Sequence, residues 1–174
     1  MKFNTIFVAG VHGVGKGHFT DELGKTALWP CYSASALIKQ AKNKPVDHGK
    51  VTIDAGANQD HLIVALNDLS PTSNTIILDG HFVLKTSTGY FEVPLDTFRA
   101  FQPKAVILLT DKPEVIEARL INRDGHASTC ADIKQMQDLE VLRAKLVCNS
   151  LGIPLLETSS GDYKNAVTWI YSHI

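Results

Sequence analysis

Three apolar runs in the chain have the length and composition of buried strands. They are TIFVA (5–9), TIILD (75–79) and AVILLT (105–110), and each is continuous, as in a strand covered on both faces. Two weaker segments, PCYSA (30–34) and PLLET (154–158), would complete a set of five strands.

The segments between these runs carry the spacing of amphipathic helices. Residues 17–25 place Phe19 and Leu23 on one face, and residues 58–69 place leucines at helical intervals. Further helices are expected over residues 35–42, with Ser35 as the N-cap, over 131–151 and over 162–174. A polar loop is expected over residues 43–50.

Strands that alternate with helices predict an α/β fold, in which helices cover both faces of a parallel sheet. Ligands of such sheets bind beyond the carboxyl ends of the strands. Gly10 follows the first predicted strand and Asp79 ends the third. Both residues are therefore expected at one rim of the sheet.

Composition indicates a single globular domain over residues 1–174. Hydrophobic residues make up 44% of the 174 and charged residues 20%, and the formal net charge is -1. This balance gives no indication of a nucleic-acid or membrane partner. Three cysteines without C-x-x-C spacing suggest reduced thiols in a cytoplasmic protein. The apolar TIFVAGV segment runs into a glycine loop, which argues against a signal peptide.

That glycine loop, GVHGVGK (10–16), matches the Walker A pattern G-x-x-x-x-G-K. Its glycines free the backbone to direct N–H groups at phosphate oxygens, and the following helix adds the positive end of its dipole. The lysine supplies a mobile positive charge for the phosphates. The next position in this pattern is usually a Ser or Thr whose hydroxyl contacts magnesium, but in this chain it is Gly17. The expected ATP-binding residues of this segment are Gly10, His12, Gly13, Val14, Gly15, Lys16, Gly17 and His18.

The stretch GVHGVGKG resembles the loop of adenylate kinases, in which glycine also replaces the Walker Ser or Thr. Gly17 is therefore compatible with a working loop. The chain departs from that family at His12, which replaces a proline, and at His18, which replaces a threonine. His18 either meets a phosphate or simply begins the helix, and the sequence leaves both open.

The stretch DGHFVLKTSTGYFEVPL resembles the archaeal type of adenylate kinase more specifically. This resemblance implies a P-loop fold with five parallel strands in the order 2-3-1-4-5, an acceptor-binding insertion at about 33–70 and a short lid at about 119–131. It also implies that His81 and Lys85 face a phosphorylated acceptor. A core histidine and a surface lysine are the alternatives.

Asp79 follows four residues of a predicted strand, which is the Walker B pattern. Such a carboxylate can hold Mg²⁺ through water, so Asp79 is the candidate metal ligand, and a turn-capping aspartate is the alternative. Asp111 also follows an apolar run, but the segment DKPE has capping spacing with a proline in the first turn. We expect Asp111 to be a helix N-cap.

Arginines suit phosphoryl transfer because a planar guanidinium matches the charge that spreads over the moving group. Arg119 and Arg123 are four residues apart and would share a helix face. The resemblance places both at the lid, with Arg119 also on ATP, and Arg143 at the acceptor. A solvated basic face that pairs with Glu117 and Asp124 is the alternative.

One feature opposes a simple assignment. Monophosphate kinases of this family hold the acceptor phosphate with an arginine, yet residues 29–78 contain none. Two functions follow. The first is an enzyme that moves the ATP γ-phosphoryl to a nucleoside monophosphate or a similar small acceptor, with Lys16, Asp79, Arg119 and Arg123 as catalytic residues and Mg²⁺ as cofactor. The second is a nucleotide-binding regulatory ATPase that acts through a partner protein. Within residues 29–78, the positively charged side chains that could stand in for the missing arginine are those of Lys39, Lys42, Lys44 and Lys50.

Overall fold

A computed structural model describes residues 3–43, 55–126 and 128–174. Within these ranges the chain forms seven strands and seven helices. The strands are β1 (Asn4–Ala9), β2 (Cys31–Ser33), β3 (Thr75–Asp79), β4 (Val83–Thr86), β5 (Gly89–Glu92), β6 (Ala105–Leu109) and β7 (Leu155–Thr158). The helices are α1 (Lys16–Ala27), α2 (Ala34–Asn43), α3 (Ala55–Asp68), α4 (Leu95–Phe101), α5 (Pro113–Asp124), α6 (Cys130–Leu151) and α7 (Tyr163–His173).

The central sheet is parallel and has the order β2-β3-β1-β6-β7. The strands β4 and β5 form a separate antiparallel hairpin. When the five strands of the central sheet are numbered by themselves in chain order, their order across the sheet is 2-3-1-4-5, as expected. The predicted α/β class is confirmed. In the register of the sheet, Asp79 is paired with both Val8 and Ser33, which brings the ends of three strands to one rim.

Alternate residues of each central strand enter two different cores. Along β1, Ile6 and Val8 face one side of the sheet and Phe7 and Ala9 face the other. This alternation explains the continuous apolar runs, because both faces of the sheet are covered by helices. On the Phe7 side, four phenylalanine rings form a cluster: Phe7, Phe82, Phe98 and Phe101. The centroids of rings in contact are 4.9 to 5.6 Å apart.

Two predicted caps are wrong. Helix α2 begins at Ala34, so Ser35 lies inside its first turn, with its Oγ 3.0 Å from that of Ser33. The N-cap of α5 is Lys112, and Asp111 instead pairs with an arginine, although Pro113 does occupy the first turn as expected. At Asp111 a side-chain partner from elsewhere in the fold competes with local capping, whereas the partner of Ser35 is its near neighbour Ser33.

The hairpin β4–β5 and helix α4 were not predicted. The residues VLKT and GYFE flank the pair Ser87-Thr88, a pattern of two short strands around a two-residue turn that the sequence does contain. The predicted polar loop at 43–50 lies almost entirely outside the described residues. The three cysteines are free thiols. Within the described ranges, none of the helices combines the length and apolar character needed to cross a membrane.

Candidate functional site

A cavity of about 780 Å³ opens at the rim where the sheet strands end. The glycine loop and the start of α1 line one side of it, and helices α2, α3 and α4 line the other. Most of the predicted site residues meet here. They are His12, Gly13, Gly15, Lys16, Gly17, His18, Asp79, His81, Arg119 and Arg123.

The backbone of the glycine loop has the conformation for which only glycine is well suited. Gly10, Gly13 and Gly15 have φ values of 143°, 81° and 104°. Space is limiting as well, because a Cβ at Gly15 would lie 2.7 Å from the Cβ of Ser160. Gly17 differs from these three, since a Cβ there would meet no atom within 4 Å.

Substitutions at Gly15 and Gly17 give a matched pair of variants. We expect Gly15→Ala to lower the free energy of unfolding by about 1–3 kcal/mol, because it combines a left-handed backbone with a clash against Ser160. Gly17→Ala, in open helical space, should leave the thermal midpoint unchanged or slightly higher. Thermal denaturation followed by circular dichroism measures both. Equal midpoints for the two variants would contradict this account of the loop.

Lys16 is the first residue of α1 and is nine-tenths buried. Its Nζ donates to the carbonyl oxygens of Gly10 at 2.7 Å and Val11 at 3.2 Å. Burial lowers the pKa of Lys16, whereas the carboxylates of Asp79 and Glu140 raise it. The ammonium group is therefore held against the loop itself and must leave these carbonyls to reach a phosphate.

Asp79 has the features expected of a ligand for a hydrated cation. Its Oδ1 is buried without a hydrogen-bond partner, and burial raises the pKa of its carboxyl, with Lys16 and His81 acting in the opposite direction. An orphaned carboxylate oxygen beside the phosphate loop fits Mg²⁺, which keeps several water ligands and takes few from protein. Among the described residues, no cluster of three or more His, Cys, Asp or Glu side chains is suited to holding a metal.

Both predicted lid arginines lie on α5 and reach the cavity, and both are already paired. The NH1 of Arg119 donates to the carbonyl of Val14 at 3.0 Å and lies 3.0 Å from Oδ2 of Asp111. Arg123 forms two hydrogen bonds to Asp124, of 2.8 and 2.6 Å. Arg119 thus braces the phosphate loop, while Arg123 pairs with Asp124, as the alternative of a basic face anticipated.

His12 of the phosphate loop lies beside His81, which in turn contacts a buried glutamate. The rings of His12 and His81 lie 4.5 Å apart, and burial, which is the main cause for each, lowers the pKa of both to about 4. Behind them, Nδ1 of His81 is 3.2 Å from Oε1 of Glu140. Burial raises the pKa of Glu140 to about 7, although it accepts backbone hydrogen bonds from Phe82 and Val83.

Two of the predicted acceptor residues do not line the cavity. Lys85 is exposed on β4. Arg143 donates to the carbonyl of Val93 and pairs with Glu92, and so ties α6 to the end of the hairpin. Lys39 and Lys42 do line the cavity, while Lys44 and Lys50 lie outside the described residues.

Glu140, Gln137 and Ser160 contribute to the site although sequence reasoning did not select them. Gln137 forms two hydrogen bonds to the backbone of Asp111, and Ser160 closes over Gly15. The sequence carried one relevant indication: acidic and amide side chains fall on the same face of α6 at 137 and 140, where apolar residues would be expected.

Comparisons with known proteins agree with this geometry. A family model described as an AAA domain (AAA_17) matches residues 9–139. No curated protein matches the sequence significantly.

Solved structures share the fold at low sequence identity. YorR from Bacillus subtilis, solved in complex with phosphorylated GDP, has a TM-score of 0.62 and 19% identity over 97% of this chain and 94% of its own. TT1252 from Thermus thermophilus has a TM-score of 0.55 and 15% identity, with 100% and 99% covered. A gluconokinase from Sinorhizobium meliloti 1021 has a TM-score of 0.54 and 12% identity, with 98% and 97% covered. The chain has the P-loop kinase fold, and these likenesses do not single out the archaeal type of adenylate kinase.

Proposed function

The chain belongs to the AAA domain family, and from this premise we propose that it is a phosphotransferase that moves the γ-phosphoryl of ATP to a nucleoside monophosphate or a similar small phosphorylated acceptor. Within that family we place it with the archaeal type of adenylate kinase, on the stretch from Asp79 to Tyr90. The observation that carries the proposal is a cavity of about 780 Å³ that is lined both by the phosphate loop and by the cations of α2.

The nucleotide side of the cavity would be formed by the loop amides, Lys16 and Arg119. Lys16 would exchange the Gly10 and Val11 carbonyls for phosphate oxygens, and the loop would keep its shape through Arg119 on Val14. Asp79 would hold the water shell of Mg²⁺ at this side. When bound, Mg²⁺ supplies neutralisation of the charge on the transferred group.

The acceptor side is lined by α2, α3 and α4, which contribute both apolar and polar side chains. Ile38, Leu62 and Phe98 contribute apolar surface, while Asn58 and Gln59 contribute amides. Such a surface suits a flat nucleobase better than a polyol, because a polyol would leave hydroxyl groups without partners against the apolar side chains. Lys39 and Lys42 would attract the acceptor phosphate as point charges rather than as a planar fork.

Transfer between the two sides needs positioning and charge neutralisation more than a strong base. Arg123 lines the cavity with an exposed side chain, and it would exchange Asp124 for the moving phosphoryl group. This exchange is inexpensive because an exposed ion pair contributes little stability. Closure of the segment from 119 to 131 over both ligands would couple the two sites.

The absence of arginine from residues 29–78 favours a second candidate, a nucleotide-binding regulatory ATPase that acts through a partner protein. The two functions differ in their product. With Mg²⁺ and ATP, a panel of AMP, CMP, GMP and dTMP should yield a nucleoside diphosphate with at least one acceptor. ADP and inorganic phosphate alone, with every acceptor, would support the ATPase.

Acceptor binding gives a further prediction. A monophosphate should bind weakly, and a non-hydrolysable ATP analogue should tighten it about 5- to 100-fold, as expected for coupled sites. Lys39→Ala should weaken this binding, and Lys85→Ala, exposed and outside the cavity, is its matched control. Calorimetric titration measures each constant. A loss confined to Lys85→Ala would place the acceptor at the hairpin instead.

A further inference from the structure

Gln137 is a buried polar residue of α6 whose contacts the proposed transfer reaction does not explain. Only 9% of its surface is exposed. Its Nε2 donates to the carbonyl oxygen of Asp111 at 2.9 Å, and its Oε1 accepts the backbone N–H of the same residue at 3.1 Å. A buried amide is tolerated when its polar atoms have partners. Because both hydrogen bonds go to the backbone of one residue, they fix the position of Asp111.

Asp111 lies just beyond the point where the central sheet holds the chain. The pairing of β6 with β7 ends at Leu109 and Thr158. The N–H of Thr110 still donates to the carbonyl of Thr158 at 3.0 Å. At Asp111, one residue further, the amide of Gln137 takes the place of a neighbouring strand and binds both backbone groups. Gln137 therefore keeps the backbone ordered up to the first charged side chain after β6.

The carboxylate of Asp111 is held at both of its oxygens. Oδ1 accepts the backbone N–H of Lys112 at 2.8 Å, and Oδ2 lies 3.0 Å from NH1 of Arg119. The same NH1 donates to the carbonyl of Val14 at 3.0 Å. A series of contacts, each 2.9 to 3.1 Å long, therefore runs from Gln137 through Asp111 and Arg119 to the phosphate loop.

Arg119 is the member of this series that reaches the cavity, and its side chain is 41% exposed. A long exposed side chain loses rotamer freedom when it binds a ligand, which weakens the binding. The contacts with Asp111 and Val14 restrict Arg119 before any ligand arrives, and both are made by NH1. A guanidinium also has N–H donors on Nε and NH2, which can be directed at phosphate oxygens.

We propose that Gln137 and Asp111 are positioning residues for ATP binding: Gln137 fixes the backbone of Asp111, whose carboxylate holds the guanidinium of Arg119 at the phosphate loop. This inference rests on the ATP-binding part of the proposed function and on no particular acceptor. Gln137 is neutral, and it lies outside the lining that the described residues give the cavity. Its effect on ATP must therefore pass through Asp111 and Arg119.

The test is a double-substitution cycle on ATP affinity, measured by calorimetry without acceptor. Gln137→Met keeps the length of the side chain and removes both hydrogen bonds, so it should weaken ATP binding about 3- to 10-fold. Arg119→Ala should weaken it about 10- to 100-fold, and the double variant should lose no more than Arg119→Ala alone. A residue that only stabilised the fold would weaken binding by the same factor in both backgrounds.

Two further variants make the test specific. Asp111→Ala should also weaken ATP binding about 3- to 10-fold, with no further loss when it is combined with Arg119→Ala. A carboxylate that merely repelled the phosphates would give the opposite sign, since its removal would tighten binding. Gln135→Met is the matched control on the same helix, because Gln135 contacts only the exposed hydroxyl of Tyr90 among the described residues. It should leave ATP affinity unchanged.

The outcomes separate the inference from the function on which it rests. If the unsubstituted protein does not bind ATP, the proposed function fails and the inference fails with it. If it binds ATP but Gln137→Met and Asp111→Ala bind equally well, or if their losses multiply with that of Arg119→Ala, only the positioning role is overturned. Tighter binding by Asp111→Ala would also overturn it. Should Gln137→Met not fold, the cycle of Asp111→Ala with Arg119→Ala decides, because the Asp111 side chain is partly exposed.

Discussion

Replacing Lys16 with alanine is expected to weaken ATP binding about 100-fold, since charge-assisted hydrogen bonds contribute about 1.5–3 kcal/mol and 1.4 kcal/mol is tenfold in affinity. The side chain is poised for this role. Its ammonium is buried beside the phosphate loop, holds two loop carbonyls and lies near Asp79. A phosphate would replace neutral carbonyl partners with a charged one, which strengthens the interaction.

Loss of loop shape must be separated from loss of charge in that experiment. Lys16→Met keeps the length of the side chain and removes only the ammonium, so it should lose affinity nearly as much as Lys16→Ala. Lys134→Ala, which breaks an exposed pair with Asp138, is the control for removing a lysine. Calorimetric titration measures affinity, and circular dichroism checks the fold. Equal ATP affinity in Lys16→Met and the unsubstituted protein would remove the phosphate-loop assignment.

The rim of the sheet was predictable because it depends on short-range pattern. The glycines at 10, 13 and 15 are required by backbone conformation, and the structure gives all three a positive φ. Asp79 was placed correctly at the rim because parallel strands end together. The glycines depend on a few neighbouring residues, and the position of Asp79 follows from the general rule for parallel strands.

Residues whose partners are distant in the chain were not predictable in the same way. Glu140 meets His81 across 59 positions, and the one local indication, its place beside Gln137 on a face of α6 where apolar residues would be expected, does not reveal that partner. Asp111 has good capping spacing, but Arg119 and the amide of Gln137 compete for that segment. Tertiary contacts override local preference at such positions, and no periodicity records them.

The acceptor side illustrates a third limit. A resemblance at Lys85 implied contact with the acceptor, but the residue lies on a hairpin that single-sequence patterning missed. Lys39, selected only as a substitute for an absent arginine, lines the cavity. The motif was assigned one residue at a time, whereas the direction of each side chain depends on how the hairpin pairs.

Replacing Asp79 with asparagine is expected to lower turnover about 100-fold, the loss typical of removing one stabilising partner of transition-state charge, while ATP affinity changes much less. Asparagine keeps the shape of the side chain, so the strand end and the pairing of Gly80 with Val8 should persist. What it removes is the charge at the orphaned Oδ1, where the water shell of Mg²⁺ would be held.

The separation of turnover from affinity makes this prediction specific. Gly17 offers no hydroxyl to the metal, so Asp79 carries more of that task than in loops with Ser or Thr. Turnover should be measured over a range of Mg²⁺ concentrations with ATP saturating, and ATP binding measured separately. Asp138→Asn, at an exposed ion pair on α6, is the matched control. Unchanged turnover of Asp79→Asn at saturating Mg²⁺ would assign the carboxylate to a structural turn, whereas equal losses in turnover and ATP affinity would place it on the nucleotide rather than on the metal.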